Sequence, residues 1–222
     1  MTVKLKRMDS GVRRVVVLAA LKEEAAALSS SDRLEVVVCG VGKVAAALAA
    51  QRACDVLAPR ALISIGLAGG IESESEPGRL IVASAAVQHD FDARPLVPAR
   101  GSVVFTANSD VAERLTRVAE SVVADKRLIR SGLILTGDQI ITSREVREAI
   151  LADFPEGACF DMETAAVAQV AQANRVPWGG VRIVSDGADE SFDLDAVLGF
   201  GASTAAELFE KIIGRYVKRD GE

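Results

Sequence analysis

Three carboxylates in this chain stand where apolar runs end: Glu24, Glu163 and Asp186. "VVVLAALKEE" leads into Glu24, "GACFDME" into Glu163 and "VRIVSD" into Asp186. Acidic side chains are seldom fully buried without partners, so each position asks what the acid holds. The chain has one histidine, His89, and lacks a G-x-S-x-G pattern, so no Ser-His or Cys-His pairing suggests itself. His89 also has no metal-ligand companion at useful spacing; a structural role ranks first for it, and neither a metal site nor a cofactor is expected. Carboxylates acting without a metal or a nucleophile suit the cleavage of a glycosidic bond through an oxocarbenium-like transition state.

Each acid also has a plainer explanation. Glu23 and Glu24 fit an acidic first helical turn that favours the helix dipole. In "CFDMETAAVAQVA", Asp161 fits an N-cap and Glu163 a first-turn acid. Asp186 fits a turn residue before Gly187. Against these stands the emergence of the acids from apolar strands, since a carboxylate accepting two hydroxyls is suited to grip a ribose diol. The glycine-rich "CGVGKVAAA" and "IGLAGGI" lack the fixed offsets and the Lys-Ser/Thr of phosphate-binding loops. They do allow a ligand to approach the backbone closely.

The elements that must position these residues alternate. "RVVVLAA" (Arg14 to Ala20), "LEVVVCG" (Leu34 to Gly40), "ALISIGLAGG", "RLIVASAAV", "LIRSGLILTG", "GACF" and "WGGVRIVSD" are predicted as strands. Helices are predicted over Lys43 to Ala58, ending before Pro59, over "DVAERLTRVAESVVADK", over "SREVREAILADF" with Ser143 as N-cap, from Glu163 onward, and over Ser203 to Val217. Strands alternating with helices imply a mostly parallel sheet covered on both faces. In such sheets ligands sit beyond the carboxyl ends of the strands, where "LKEE", "GLAGG", "DME" and "SDGADE" fall; "HDFD" is a weaker fifth such place.

The chain's 222 residues suit one domain over 14–222, after a tail at 1–13 that is basic, flexible and without the apolar run of a signal peptide. A formal net charge of −5 argues against a nucleic-acid partner, and no apolar segment is long enough for a membrane span. Cys39, Cys54 and Cys159 fit reduced thiols in a cytoplasmic protein.

Six motifs in order resemble the purine nucleoside phosphorylase/nucleosidase family, most closely the 5'-methylthioadenosine/S-adenosylhomocysteine nucleosidases. "ALKEE" resembles the family's Ala-Met-Glu-Glu-Glu turn, "CGVGKVAAA" its Ser-Gly-Ile-Gly-Lys-Val segment, and "SIGLAGGI" its Asn-Thr-Gly-Ser-Ala-Gly-Gly turn. "GLILTGDQII" is similar to its Gly-Asp-x-Phe-Ile segment, while "FDMETAAVA" and "RIVSDGADE" resemble its ribose-binding and base-binding motifs. The resemblance implies a nucleoside phosphorylase-like α/β domain whose mixed, mostly parallel central sheet is flanked by helices on both faces. It implies hydrolysis of a 5'-modified adenine nucleoside, a small-molecule substrate, and a homodimer in which "FDARPLVPARG" caps a neighbouring pocket. Asp186 would protonate the purine at N7, oriented by Ser185 and with Arg182 supporting the same loop. Glu24 would activate water, Glu163 would hold the ribose hydroxyls, and Met162 would pack on the sugar. Backbone near Ile140 and Ile141 would meet the base, with Ala68 and Gly69 of the glycine turn among the substrate contacts.

The chain departs from that pattern at three places. Leu67 replaces a small hydroxyl residue, Ile140 replaces an aromatic expected to stack on the purine, and only 15 residues separate Glu24 from Gly40, so a hairpin is missing. A hopanoid-associated branch, linked to removal of adenine from adenosylhopane, has a similarly short form and is one alternative. A phosphorylase of the same fold and a non-catalytic nucleoside-binding module are the others.

Overall fold

The computed structural model describes residues 13–71, 77–94, 96–97 and 102–218. The tail expected over 1–13 lies outside them except for Arg13, as does part of the expected cap segment 91–101. The first three strands, β1 (Val15–Ala19), β2 (Leu34–Val38) and β3 (Ala61–Gly69), are parallel with β1 in the middle. Their β-branched runs suit strands covered on both faces. Between β2 and β3 lies α1 (Lys43–Leu57), which ends on a left-handed Ala58 because Pro59 disfavours a helical residue before it.

The chain continues through β4 (Leu80–Gln88), β5 (Val104–Thr106), α2 (Ser109–Val122), β6 (Ile129–Thr136) and α3 (Arg144–Asp153). Then come β7 (Gly157–Asp161), α4 (Thr164–Ala173) and β8 (Trp178–Asp186). It closes with α5 (Leu194–Phe200), a π-helical turn (Gly201–Ala205) and α6 (Ala206–Val217). The strand order is β2-β1-β3-β7-β6-β4-β5, and β8 pairs with both β3 and β4. Since β8 runs parallel to β3 and antiparallel to β4, the strands β3, β7, β6, β4 and β8 close on themselves, leaving β2–β1 and β5 as wings. The mixed, mostly parallel sheet is as the sequence predicts; the closure is an addition to it.

Both faces are covered because β1 alternates at period two. Val16 and Leu18 join the alanines of α1 and α4 in one cluster, while Val15, Val17 and Ala19 join Leu115, Phe209 and Ile212 of α2 and α6 in another. Small residues at Ala46, Ala50 and Ala168 let α1 and α4 come close, and added methylenes in so tight a layer cost about 1–3 kcal/mol.

Four local expectations are revised. The helix expected over Ser203 to Val217 is α6, but helical structure already begins with α5 at Leu194, where Asp193 caps it by accepting from the Ala196 N–H at 3.0 Å. The three-residue β5 was not anticipated, being too short for a periodic signal. Residues 22–27, including Glu23 and Glu24, form turns rather than a helical turn. Ser143 does stand at the N-cap of α3, but its side chain makes no capping bond.

The topology gathers the acidic strand ends. The parallel β1, β3 and β8 all finish on one edge. β7 arrives there from the opposite direction, with Phe160 paired to Gly69, and so delivers Asp161 to Glu163 to the same place.

Candidate active site

A cavity of about 770 Å³, counting its open mouth, lies at that edge. Glu24, Glu163 and Asp186 all line it, from the ends of β1, β7 and β8. Met162, Ser185, Ala68, Gly69, Ile140 and Ile141 line it as well, so the sequence-predicted residues converge, with one exception. That exception is Arg182. Expected to touch substrate and support the Asp186 loop, it is 1% exposed beneath the cavity and bonded elsewhere.

Arg182 organises the floor. Its Nε and Nη2 donate to Asp161 Oδ2 at 2.8 and 2.5 Å, and Nη2 also donates to Ser64 Oγ at 2.9 Å. Asp161 further accepts from the Thr136 hydroxyl at 2.5 Å and from the Thr164 N–H at 2.9 Å. Burial would raise the Asp161 carboxyl, but the Arg182 charge and these hydrogen bonds outweigh it and hold the group below its usual range. Asp161 is thus a structural counter-ion and also ties down the first N–H of α4.

Glu163, two residues on, has a different environment. Its Oε1 accepts from the Gly42 N–H at 2.9 Å, and its Oε2 lies 3.7 Å from Arg182 Nη2. Burial first, and then the neighbouring Asp161 charge, push its carboxyl above the ordinary value against the pull of Arg182. Gly42 can present its N–H there because its φ of +97° belongs to glycine's range. Next to it, the Lys43 N–H donates to Asp138 Oδ1 at 2.8 Å and the Lys43 ammonium meets Asp90 at 2.6 Å, tying the start of α1 to the loop that carries Ile140.

Glu24 is 4% exposed. Its two oxygens accept from the Leu21 and Leu67 N–H groups, each at 2.9 Å. Burial raises its carboxyl against the counter-pull of Arg182 and these backbone donors. At position 67 it is the backbone that serves the site, so Leu67 replaces the small hydroxyl residue without loss of that bond. Gly66 keeps the floor open: a Cβ there would sit 2.7 Å from Arg182 Nη1 and 2.8 Å from Glu24 Oε1. Arg182 Nη1 is buried with no hydrogen-bond partner among the described residues. A polar group in that gap would satisfy both.

Asp186 stands on the opposite wall. Ser185 Oγ donates to its Oδ2 at 2.7 Å, and the Ala188 N–H donates to its Oδ1 at 2.9 Å. Burial raises its carboxyl, the two hydrogen bonds resist, and the nearby Asp189 charge adds to the rise. Such an environment favours a carboxyl that carries a proton closer to neutrality.

His89 is buried, edge-on to Phe160 at 6.0 Å, and fills the space beside Gly137. The apolar wall formed by Phe192, Leu194, Val197 and Leu198 was not foreseen from the sequence. Its readable signal was the capping pattern "FDLDA", which starts α5 earlier than the apolar periodicity suggests. Among the described residues no group of His, Cys, Asp and Glu is arranged to hold a metal ion.

Residues 28–218 match the family model described as the phosphorylase superfamily. The chain is 35% identical over 154 residues to a 5'-methylthioadenosine/S-adenosylhomocysteine nucleosidase of Actinobacillus succinogenes, an alignment spanning 68% of this chain and 66% of that protein. It is 30% identical over 183 residues to the nucleosidase of the same name from Haemophilus influenzae, covering 79% of each. Its fold matches the crystal structure of such a nucleosidase from Neisseria meningitidis in complex with methylthio-immucillin-A, with a TM-score of 0.82 and 27% identity over 93% of this chain and 99% of that one.

Proposed function

The chain belongs to the phosphorylase superfamily, and from that membership we propose that it hydrolyses the N-glycosidic bond of a 5'-modified adenine nucleoside of the methylthioadenosine/S-adenosylhomocysteine type, releasing adenine. The observation that carries this reading is the convergence of Glu24, Glu163 and Asp186 on one cavity, above a single guanidinium already bonded to Asp161. As the bond from the sugar C1' to the base breaks, its electron pair passes to the purine and the proton of Asp186 neutralises the base at N7. Ser185 and the Ala188 N–H orient that carboxyl. Glu163 accepts from the ribose hydroxyls, with Met162 against the sugar and Ala68, Gly69 and the Ile140–Ile141 backbone around the base.

Water enters the gap beside Gly66, donates to Glu24 and accepts from the free Nη1 of Arg182, then attacks C1' and gives its proton to Glu24. Arg182 is therefore assigned to the nucleophile side rather than to the Asp186 loop. A phosphate dianion at the same place would meet Glu24 and Glu163, and the repulsion between close like charges in a dry site selects the neutral acceptor.

The homodimer is carried as part of the proposal. Exposed Val44 and Leu48 on α1 extend an apolar strip from Val41 at the mouth, a surface suited to a second copy. No helix among the described residues is long and apolar enough to cross a membrane, and the free thiols Cys39, Cys54 and Cys159 suit a cytoplasmic setting. One competing reading stays within the same reaction: the apolar rim of Val41, Ile140 and Leu194 would also accept a larger apolar 5' group, as in an adenosylhopane-type substrate.

The test is a nucleoside panel with and without phosphate, reading released base and sugar. We expect adenine and a free reducing sugar from methylthioadenosine in phosphate-free buffer. A strict phosphate requirement would overturn hydrolysis. Turnover confined to nucleosides with large apolar 5' groups would replace the substrate class.

A further inference from the structure

The turn that carries Asp186 is held from behind by a residue of α3. Arg147 is the buried residue of that helix, 3% exposed among otherwise more accessible neighbours. Its Nη1 donates to the Gly187 carbonyl at 2.7 Å and lies 3.6 Å from Asp189 Oδ2. One turn back along α3, the Arg144 N–H donates to Glu190 Oε1 at 3.0 Å. Residues 187, 189 and 190 are thus all tied to the start of α3, directly after the Ile140–Ile141 segment.

Between these ties sits Ala188, with a φ of +50° that a residue bearing a Cβ seldom adopts. Its side chain is buried with Ile141 and Phe160, and its N–H is the group that holds Asp186 Oδ1. The strained residue and the hydrogen bond to the acid are therefore one feature, kept in place by its flanking anchors. Stability alone does not account for Arg147. Its Nε has no hydrogen-bond partner among the described residues, and a buried ion pair at 3.6 Å returns little against the cost of desolvation.

We propose that Arg147 is a positioning residue for the proton donor: by holding the Gly187 carbonyl and the Asp189 carboxylate it fixes Ala188, whose N–H aims the Asp186 carboxyl into the cavity. The inference rests on the reading of Asp186 as the acid. Besides Asp189 on its own turn, the charged groups around Asp186 are Glu190, Arg144 and Arg147 behind it, and Glu24 and Glu163 across the cavity. Without Arg147, Asp189 keeps its Ser191 hydrogen bonds and the pull of Arg144 but loses its nearest cation, and the Ala188 N–H loosens. Both changes favour protonated Asp186, so its carboxyl moves further up.

Arg147→Met keeps the apolar stem, and Arg147→Lys keeps one donor for Gly187. We expect Arg147→Met to lower kcat per folded molecule on the order of 100-fold, as misplaced catalytic groups do, with a KM change of less than about threefold. Arg147→Lys should recover part of the loss. Carbon-detected NMR titration should place the Asp186 carboxyl higher in Arg147→Met than in the unaltered protein. Wild-type kcat in folded Arg147→Met, or an unmoved Asp186 titration, would overturn the proposal. If Arg147→Met does not fold, the same readings on Arg147→Lys decide. Should the unaltered protein release no base, the functional reading fails separately, and the titration still decides what Arg147 does.

Discussion

The two walls of the cavity hold their carboxylates by different means. On the floor, Asp161, Glu163 and Glu24 surround Arg182, and burial makes every charge depend on another. On the opposite wall Asp186 has no cation in contact among the described residues; two neutral donors hold it, and burial lifts its carboxyl. On one wall Arg182 holds Asp161 ionised and pulls against burial at Glu163 and Glu24, while the other keeps an acid ready to hold a proton with no cation among its partners. That division suits a reaction which needs a negative floor for an oxocarbenium-like sugar and a proton source for the leaving base.

The largest way to break the contrast is to remove the proton source. Asp186→Asn keeps an acceptor for the Ala188 N–H and a polar partner for Ser185, but has no acidic proton. We expect kcat to fall by about 10²–10⁴-fold with the fold unchanged, as read by adenine release and by circular dichroism. Near-wild-type turnover would remove Asp186 from the mechanism.

Next in size is the floor's cation. Arg182→Met leaves Asp161 buried without its partner, and breaking a buried pair from one side costs about 3–5 kcal/mol. In a chain of this size that lowers Tm by about 10 °C. The sign with pH follows from Asp161, which Arg182 helps hold below its ordinary value. That stabilisation is present above the ordinary carboxylate range and is lost as pH falls through the depressed value. The gap in Tm between the two proteins should therefore narrow in acid, as thermal scans at several pH values will show; a gap independent of pH would contradict the pairing.

Glu163→Gln sharpens the contrast within the floor, since Gln can still accept from the Gly42 N–H while losing the charge. A hydrogen bond to a charged group is worth about 1.5–3 kcal/mol, so kcat/KM should fall by roughly 10–100-fold. The loss should be much smaller for a substrate analogue lacking the ribose hydroxyls. An equal loss for both substrates would argue against the ribose assignment.

Which parts of this were legible in the sequence follows from what local pattern can encode. The strand runs and the acids at their ends were readable because apolar periodicity and the residues that break it are local. The partner of Arg182 was not. At period two, Arg182 and Asp186 share a face of β8, which makes them look like one cluster. The pairing slips beside β3: Ala68 faces Val184 but Gly69 faces Asp186, and the extra residue, Ser185, turns Asp186 away. Such a bulge exists only once the partner strand is in place. Arg147 was hidden for another reason: in "REVREAILAD" it reads as one more charge on a solvated helix face, and only the packing of the 187–190 turn makes that face interior.

The smallest effect reverses the usual direction of a catalytic substitution. Burial raises Asp186, so the folded protein binds that proton more tightly than the unfolded chain does. Stability then falls as pH rises from the ordinary carboxylate value through the raised one. Above that window the ionised, half-buried Asp186 is a standing cost, which Asp186→Asn removes. The gain is small, because water in the open cavity screens the charge. Thermal scans should find Asp186→Asn no less stable than the unaltered protein below the window and slightly more stable above it. On the floor, loss of Arg182 costs stability, so the two walls respond to substitution with opposite signs. A lower Tm for Asp186→Asn above the window would mean that Asp186 is held as an ion, as Asp161 is, and that the contrast between the walls is absent.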